Sequence, residues 1–230
     1  MKKQRLIPIL LLRNGWLVQS KNFREYKNLG NPVTAVKRLS EWAADELIYL
    51  DISKNENYDR RREENKYPNR STLDDIIKDV SKTTFMPLTV GGKINTLNDI
   101  EKRLYLGADK ITFNSKAIEE SEFITKSSKE FGAQCIVVSV DVKIEDGNYK
   151  VYSHKKNKSL EIDAKEFIMQ CQDRGAGEIL LNSVDRDGKG NGYDIEMISD
   201  ITKDILIPVI ICGGVSEWDH FADGLKKTNA

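Results

Sequence analysis

The sequence predicts an α/β fold in which parallel strands, each followed by a helix, build a (βα)₈ barrel from two half-barrels. Three observations predict it. Short apolar runs alternate with helical patterns, the first half of the chain recurs in the second, and the recurrence stops one βα unit early. The 230 residues suffice for one domain with a sizeable core. That domain is expected over 1–230, with halves at about 1–130 and 131–230.

The apolar runs are 6–12, 47–52, 86–90, 110–114, 135–141, 178–182 and 207–212. They are continuous rather than alternating, as strands covered on both faces require. Pro8, Pro87 and Pro208 fall near the openings of three of them, where a missing ladder donor is tolerated. The first run follows Lys2, Lys3 and Arg5 and so has the outline of a secretion signal. It stops at Arg13-Asn14-Gly15 with no small-residue cleavage site, so it is read as a buried strand. Helices are expected between the runs. Asn31-Pro32 supplies a cap and an N1 proline before 33–44. Ser71 precedes 72–81, Asn95 precedes 97–106, Asp163 opens 164–174, and Ser216 starts a last helix near 217–225.

The internal repeat chooses a closed barrel over an open, doubly wound sheet. Residues 86–92 match 207–214, with the pairs Gly91-Gly92 and Gly213-Gly214 standing 122 positions apart. Residues 45–51 match 177–183, and 7–15 match the stretch from Val137, at an offset of about 130. Gly107, 16 positions after Gly91, opens the next unit in the first half, whereas the same step from Gly213 reaches 229. Seven βα units are therefore expected, the chain being truncated before strand 8 by shortening or by an interrupted reading frame.

Composition excludes several function classes. Thirty-six basic residues balance 36 acidic ones, which argues against bulk binding to nucleic acid or an anionic membrane. Cys135, Cys171 and Cys212 are too scattered for a disulfide framework or a zinc site, so a reduced, cytoplasmic setting without metal or cofactor is expected. Arg60-Arg61-Arg62-Glu63-Glu64 reads as a solvated charge run.

In such barrels the reacting groups come from the C-terminal strand ends. Those positions include Asp51, Gly91, Gly92, Asn114, Ser115, Asp141, Asn182, Asp187, Gly188, Gly213 and Gly214. Asp141 closes an apolar strand, which suits a general acid or base, or a carboxylate paired with Lys143. The two glycine pairs let backbone N–H groups approach an anion, and Asn114-Ser115 and Asp187-Gly188 could complete two phosphate cradles. Tight turns are the plainer reading of the same glycines. At the opposite strand ends, Arg5, Glu46, Lys110 and Glu178 would form a neutral ring at the barrel floor.

These residues resemble the HisF family, the cyclase subunit of imidazole glycerol phosphate synthase. The resemblance covers essentially the whole chain. It is carried by Asn22-Phe, Asp45-Glu-Leu-Ile-Tyr-Leu-Asp-Ile52, Gly107-Ala-Asp-Lys110, Arg174-Gly-Ala-Gly-Glu-Ile-Leu-Leu181 and, most specifically, Ser183-Val-Asp-Arg-Asp-Gly188 with Gly192-Tyr-Asp194 and Glu196-Met-Ile198. It implies a TIM barrel docked by its N-terminal face onto a HisH-like glutaminase. Ammonia would pass a gate formed by Arg5, Glu46, Lys110 and Glu178 to a phosphorylated ligand at Asp141.

The active end departs from that family. Its cyclases use two aspartates, and Leu11 stands where the first belongs. Leucine cannot exchange a proton, so the family's two-aspartate chemistry is not available. Gln19 replaces a lysine, Lys93 a third glycine, Asn182 a threonine and Cys212 a serine. The pattern is similar to the WbuZ-type, glycosyl amidation-associated paralogues, which implies a sugar or nucleotide-sugar ligand and a separate sugar amidotransferase in surface-polysaccharide synthesis. An authentic lyase-type cyclase of histidine biosynthesis and a scaffold tethering glutaminase to amidotransferase are the alternatives.

Overall fold

The structure, a computed structural model, describes residues 4–21, 25–42, 44–55, 57–58 and 70–230. The motif at Asn22 and the charge run from Arg60 to Glu64 lie outside the described residues. The chain divides into two compact units, Met1–Thr112 and Phe113–Ala230.

The first unit runs β1 (Ile9–Arg13), β2 (Trp16–Lys21), β3 (Glu25–Gly30), α1 (Pro32–Glu41), β4 (Leu47–Asp51), α2 (Leu73–Val80), β5 (Leu88–Gly91), α3 (Leu97–Tyr105) and β6 (Lys110–Phe113). β1, β4, β5 and β6 are parallel neighbours in that order. Their uninterrupted apolar faces are covered by helices that bury one stripe each. In α2 that stripe is Leu73, Ile76, Ile77 and Val80, the i, i+3, i+4, i+7 spacing of an amphipathic helix. Each such side chain contributes about 1.5–3 kcal/mol. Asn31 caps α1 as expected, accepting from the N–H groups of Val33 and Thr34. Thr72 rather than Ser71 caps α2, and Thr96 rather than Asn95 caps α3. Thr96 wins because Asp99 at N3 reaches back to its N–H, closing a capping box.

The second unit runs α4 (Ser115–Glu119), α5 (Glu122–Phe131), β7 (Ile136–Glu145), β8 (Asn148–Ser153), β9 (Lys158–Asp163), α6 (Ala164–Asp173), β10 (Glu178–Ser183), α7 (Ile195–Thr202), β11 (Val209–Cys212) and α8 (Trp218–Lys227). β7, β10 and β11 are parallel, and Ile136, Val137, Val138, Val140, Ile179 and Leu181 on the first two are fully buried. All seven expected strands are present, in an α/β fold.

Among the described residues, four strands lie outside the expected set. β2 and β3 are antiparallel additions to β1, and β8 and β9 are antiparallel additions to β7. Both additions start from the same device. Asn14-Gly15 and Asp146-Gly147 place two consecutive residues at positive φ (52° and 78°, then 52° and 75°), the two-residue hairpin turn that matches strand twist.

Candidate active site

Three neighbouring strands of the second unit place Asp141, Asn182 and Cys212 in one lateral row. Asp141 is buried, 8% exposed, and both of its oxygens accept from amides. Asn182 Nδ2 donates to Oδ1 over 2.8 Å. Asn114 Nδ2 donates to Oδ2 over 3.1 Å and also to the Ser139 carbonyl over 2.9 Å. The two donors fix the carboxylate plane from opposite sides. The thiol of Cys212 lies within donating reach of Asn182 Oδ1 (3.4 Å) and of the Leu181 carbonyl (3.5 Å). Burial, and then the charges of Asp141 and Asp187, push the Cys212 thiol well above its ordinary range.

A histidine faces the same carboxylate. His154 Nε2 stands 3.4 Å from Asp141 Oδ2. Asp187 is close enough to feel both groups. Burial and then the Asp141 charge raise its carboxyl above the usual range, against a smaller pull down from His154 and the Gly188 N–H. Lys143, offered by the sequence as an ion-pair partner for Asp141, instead reaches over the Tyr152 ring. Asn114 sits ahead of α4 but makes no side-chain cap there, because its amide serves Asp141.

The glycines at these strand ends have a packing reason. A Cβ at Gly214, φ 93°, would collide with the Gly192 carbonyl, and one at Gly213 would meet the Ser183 carbonyl at 2.8 Å. Gly192 N–H in turn donates to the Gly214 carbonyl over 2.7 Å, so the loop after β10 closes tightly on the end of β11. Ser183 O also receives the Asp187 N–H, and Ser115 opens α4.

The first unit carries its own polar cluster. Asp51, at the end of β4, is buried and accepts from the Ser53 N–H (2.9 Å) and the Tyr58 hydroxyl (3.1 Å). Lys93 Nζ lies 3.3 Å from its Oδ2 and also donates to the Asn55 carbonyl. Burial, and then Asp51, push the Tyr58 hydroxyl strongly up. Gly92, at φ 105°, packs so closely on Asp51 that a Cβ would strike its carbonyl, and Gly91 packs on Thr112 and Leu50. Leu11 pairs with Leu50 and Val18, an apolar setting with no proton to give.

At the N-terminal strand ends of this unit, Glu46 bridges two cations. It pairs with Arg5, and its Oε2 lies 3.0 Å from Lys110 Nζ. Glu178 is buried at the start of β10 in the second unit. Large apolar side chains are open beside the same strand ends: Trp42 is 76%, Tyr105 89% and Phe85 96% exposed. A cleft of about 460 Å³ lies there, between Met86, Leu88, Tyr105 and Asp109.

The histidine biosynthesis protein family matches residues 5–230. The chain belongs to this family. Within it the chain is HisF-like. It is 40% identical over 231 residues to the imidazole glycerol phosphate synthase subunit HisF of Hydrogenobaculum sp. (strain Y04AAS1), covering 100% of this chain and 87% of that protein. The subunit of the same name from Flavobacterium psychrophilum is 39% identical, with the same coverage. The putative imidazole glycerol phosphate synthase subunit hisF2 of Vibrio vulnificus (strain YJ016) is 41% identical over 225 residues, covering 97% of this chain and 78% of that protein. The TIM-barrel expectation agrees with the four parallel strands of the first unit, the three of the second and their intervening helices. Among the described residues no helix is long and apolar enough to cross a membrane, and no group of three or more His, Cys, Asp or Glu side chains could hold a metal.

His154 was missed by sequence reasoning. The signal that could have found it is Asp146-Gly147, which announces a hairpin and so a return of the chain toward Asp141.

Proposed function

We propose that the chain is the synthase subunit of a glutamine amidotransferase, accepting ammonia from a HisH-like glutaminase. It passes that ammonia to a carbonyl-type carbon of a sugar ligand in surface-polysaccharide synthesis, acting with a separate sugar amidotransferase. The observation that carries the change of substrate is Leu11 in its apolar setting beside Leu50. A HisF cyclase needs a second proton-exchanging group there, and leucine supplies none.

The ammonia-handling half of the reading is supported by Arg5, Glu46 and Lys110, which meet at the N-terminal strand ends. Glu178 is the fourth member of that gate. The open rings of Trp42, Phe85 and Tyr105 suit a protein partner, because aromatic side chains are enriched at docking faces. On this reading residues 1–230 act as one barrel with halves at about 1–130 and 131–230. Gly213-Gly214 and Asp187-Gly188 form one anion cradle, with Gly91-Gly92 and Asn114-Ser115 contributing to the other.

Two arms test it. In a histidine auxotroph lacking the cyclase, co-expression of the chain with its glutaminase is expected to give no rescue. In the source strain, deletion of the gene is expected to remove an amide or amidine from the surface polysaccharide, read by mass spectrometry. Rescue of the auxotroph would overturn the reading. It would favour cyclase activity in histidine biosynthesis, which the names of the relatives and the fixed Asp141 support. An Asp141→Asn variant that is silent in both arms would favour the scaffold.

A further inference from the structure

We propose that His154 is the second proton-transfer group of the Asp141 site, working in place of the carboxylate that Leu11 cannot provide. The proposal rests on the synthase reading for its chemistry but not for its geometry.

The geometry begins with the hairpin. β7 runs past Asp141 to Glu145, turns at Asp146-Gly147 and returns as β8, with Val142 opposite Val151. The returning strand ends at Ser153, so the next residue is delivered back beside Asp141, Nε2 to Oδ2 at 3.4 Å. The turn beyond is pinned. The Asn157 N–H donates to the His154 carbonyl (3.3 Å), the Tyr152 hydroxyl to Asn157 Oδ1 (2.9 Å) and the Lys156 N–H to Ser153 Oγ (3.3 Å). The imidazole packs edge-on against the Tyr152 ring, centroids 4.9 Å apart. Its side chain is 36% exposed where that of Asp141 is 11%, so a ligand reaches the ring first.

The charged surroundings agree. From β7 the ring meets Asp141, 3.4 Å away, and Asp187 in the loop after β10 is near enough to feel its charge. Cys212 on β11 feels both carboxylates. Lys143 is turned to the Tyr152 ring, and Lys155 is drawn away to Glu119, 2.6 Å from it. The imidazole thus has one carboxylate in contact and a second nearby in the same unit.

Addition of ammonia to a carbonyl carbon with loss of water moves two protons from nitrogen to oxygen. For an acetamido group becoming an amidine, a C=N bond replaces the C=O bond, the oxygen leaves as water, and nothing is oxidised or reduced. In each half of the reaction Asp141 takes a proton from the nitrogen while the ring Nε2–H is given to the oxygen. The proton on Asp141 then crosses to the emptied Nε2, which restores the pair for the second transfer. Two groups in mutual contact thus do the work of two separated aspartates.

His154 and His220 are the two histidines of the chain, which makes the test direct. In the full chain, proton NMR at low temperature is expected to show a low-field ring N–H signal. That signal should be lost in His154→Gln, moved or lost in Asp141→Asn, and kept in His220→Gln. A ring signal indifferent to Asp141→Asn, or no such signal, overturns the pairing whatever the reaction proves to be. In cells whose polysaccharide is amidated by the parent chain, His154→Gln is expected to lower the amidated product by roughly 10²–10⁴-fold. Product at the parent level overturns the catalytic role. If the parent chain yields no amidated product while the NMR result holds, the synthase reading fails and the His154–Asp141 pair stands.

Discussion

The Cys212 thiol lies 3.4 Å from Asn182 Oδ1, and the same amide places its nitrogen 2.8 Å from Asp141 Oδ1. A carboxamide can flip, and the carboxylate, which only accepts, selects the orientation that turns nitrogen toward it and leaves oxygen for the thiol, which also lies 3.5 Å from the Leu181 carbonyl. Asn182→Ala is therefore expected to cost about 1.5–3 kcal/mol, the range for a hydrogen bond to a charged group. Cys212→Val should cost about 1 kcal/mol by losing that donor, and Cys212→Ser should cost less. Urea denaturation midpoints measure all three, and equal losses for the valine and serine variants would contradict the arrangement.

The cysteines should also separate by reactivity. Burial pushes the Cys171 thiol up to about 12, and Cys212 is pushed up by burial and by two carboxylates. Cys135, like Cys212, is half-buried, and Cys171 is buried. Alkylation with iodoacetamide at pH 8, followed by mass spectrometry, should label Cys135 first because the thiolate is the nucleophile. Early labelling of Cys212 would mean that Asp141 and Asp187 do not face it.

Asp187 gives a pH dependence with a definite sign. Its carboxyl is raised in the folded protein, by burial and then by Asp141. Between the unfolded value near ~3.9 and the raised folded value, the native state holds a proton that the unfolded chain has released. Stability contributed by this group therefore falls as pH climbs through that window. Asp187→Asn is expected to melt higher than the parent at pH 7, with the gain vanishing by about pH 3. Calorimetry at the two pH values checks this, and a gain of equal size at both would refute the assignment.

Glycine substitutions should separate two kinds of left-handed residue. Gly147 has φ 75° with nothing within 4 Å of an added methyl, so Gly147→Ala should cost about 1 kcal/mol. Gly92 adds a collision with the Asp51 carbonyl to a φ of 105°, and Gly92→Ala should cost about 3 kcal/mol or more. Thermal melts rank them.

At α3 the competing caps can be told apart. Thr96→Ala removes the capping box and should cost about 1 kcal/mol. Asn95→Ala removes a single long contact to the Lys93 carbonyl and should stay within about 0.5 kcal/mol.

Much of the fold could be read from local pattern. Buried parallel strands need unbroken apolar runs, so all seven were visible, and Asn31-Pro32 announced α1 through its cap. Helices α5 and α7 passed unnoticed because their buried faces, Phe123-Ile124 and Met197-Ile198 among them, are short and set in polar sequence. Strands β2 and β8 escaped for a different reason. They are half-buried and mixed in polarity, and what marks them is the Asn-Gly or Asp-Gly turn rather than any apolar run. At the site, Asp141 was legible because a carboxylate ending an apolar strand is conspicuous. Its partners were less so. Asn114, Asn182 and His154 reach it from separations of 27, 41 and 13 residues, and no local pattern encodes a meeting across such distances.

The hairpin from Glu145 to Asn148 imposes a rule of parity on this part of the chain. Residues added in pairs, one to each arm at the tip, lengthen the ribbon yet leave Val142 opposite Val151 and the imidazole where it is. A single added or deleted residue in the returning arm turns every later side chain to the opposite face, and His154 would look away from Asp141. Natural variation in length should therefore come in even steps here, with odd steps confined to chains that have given up the histidine.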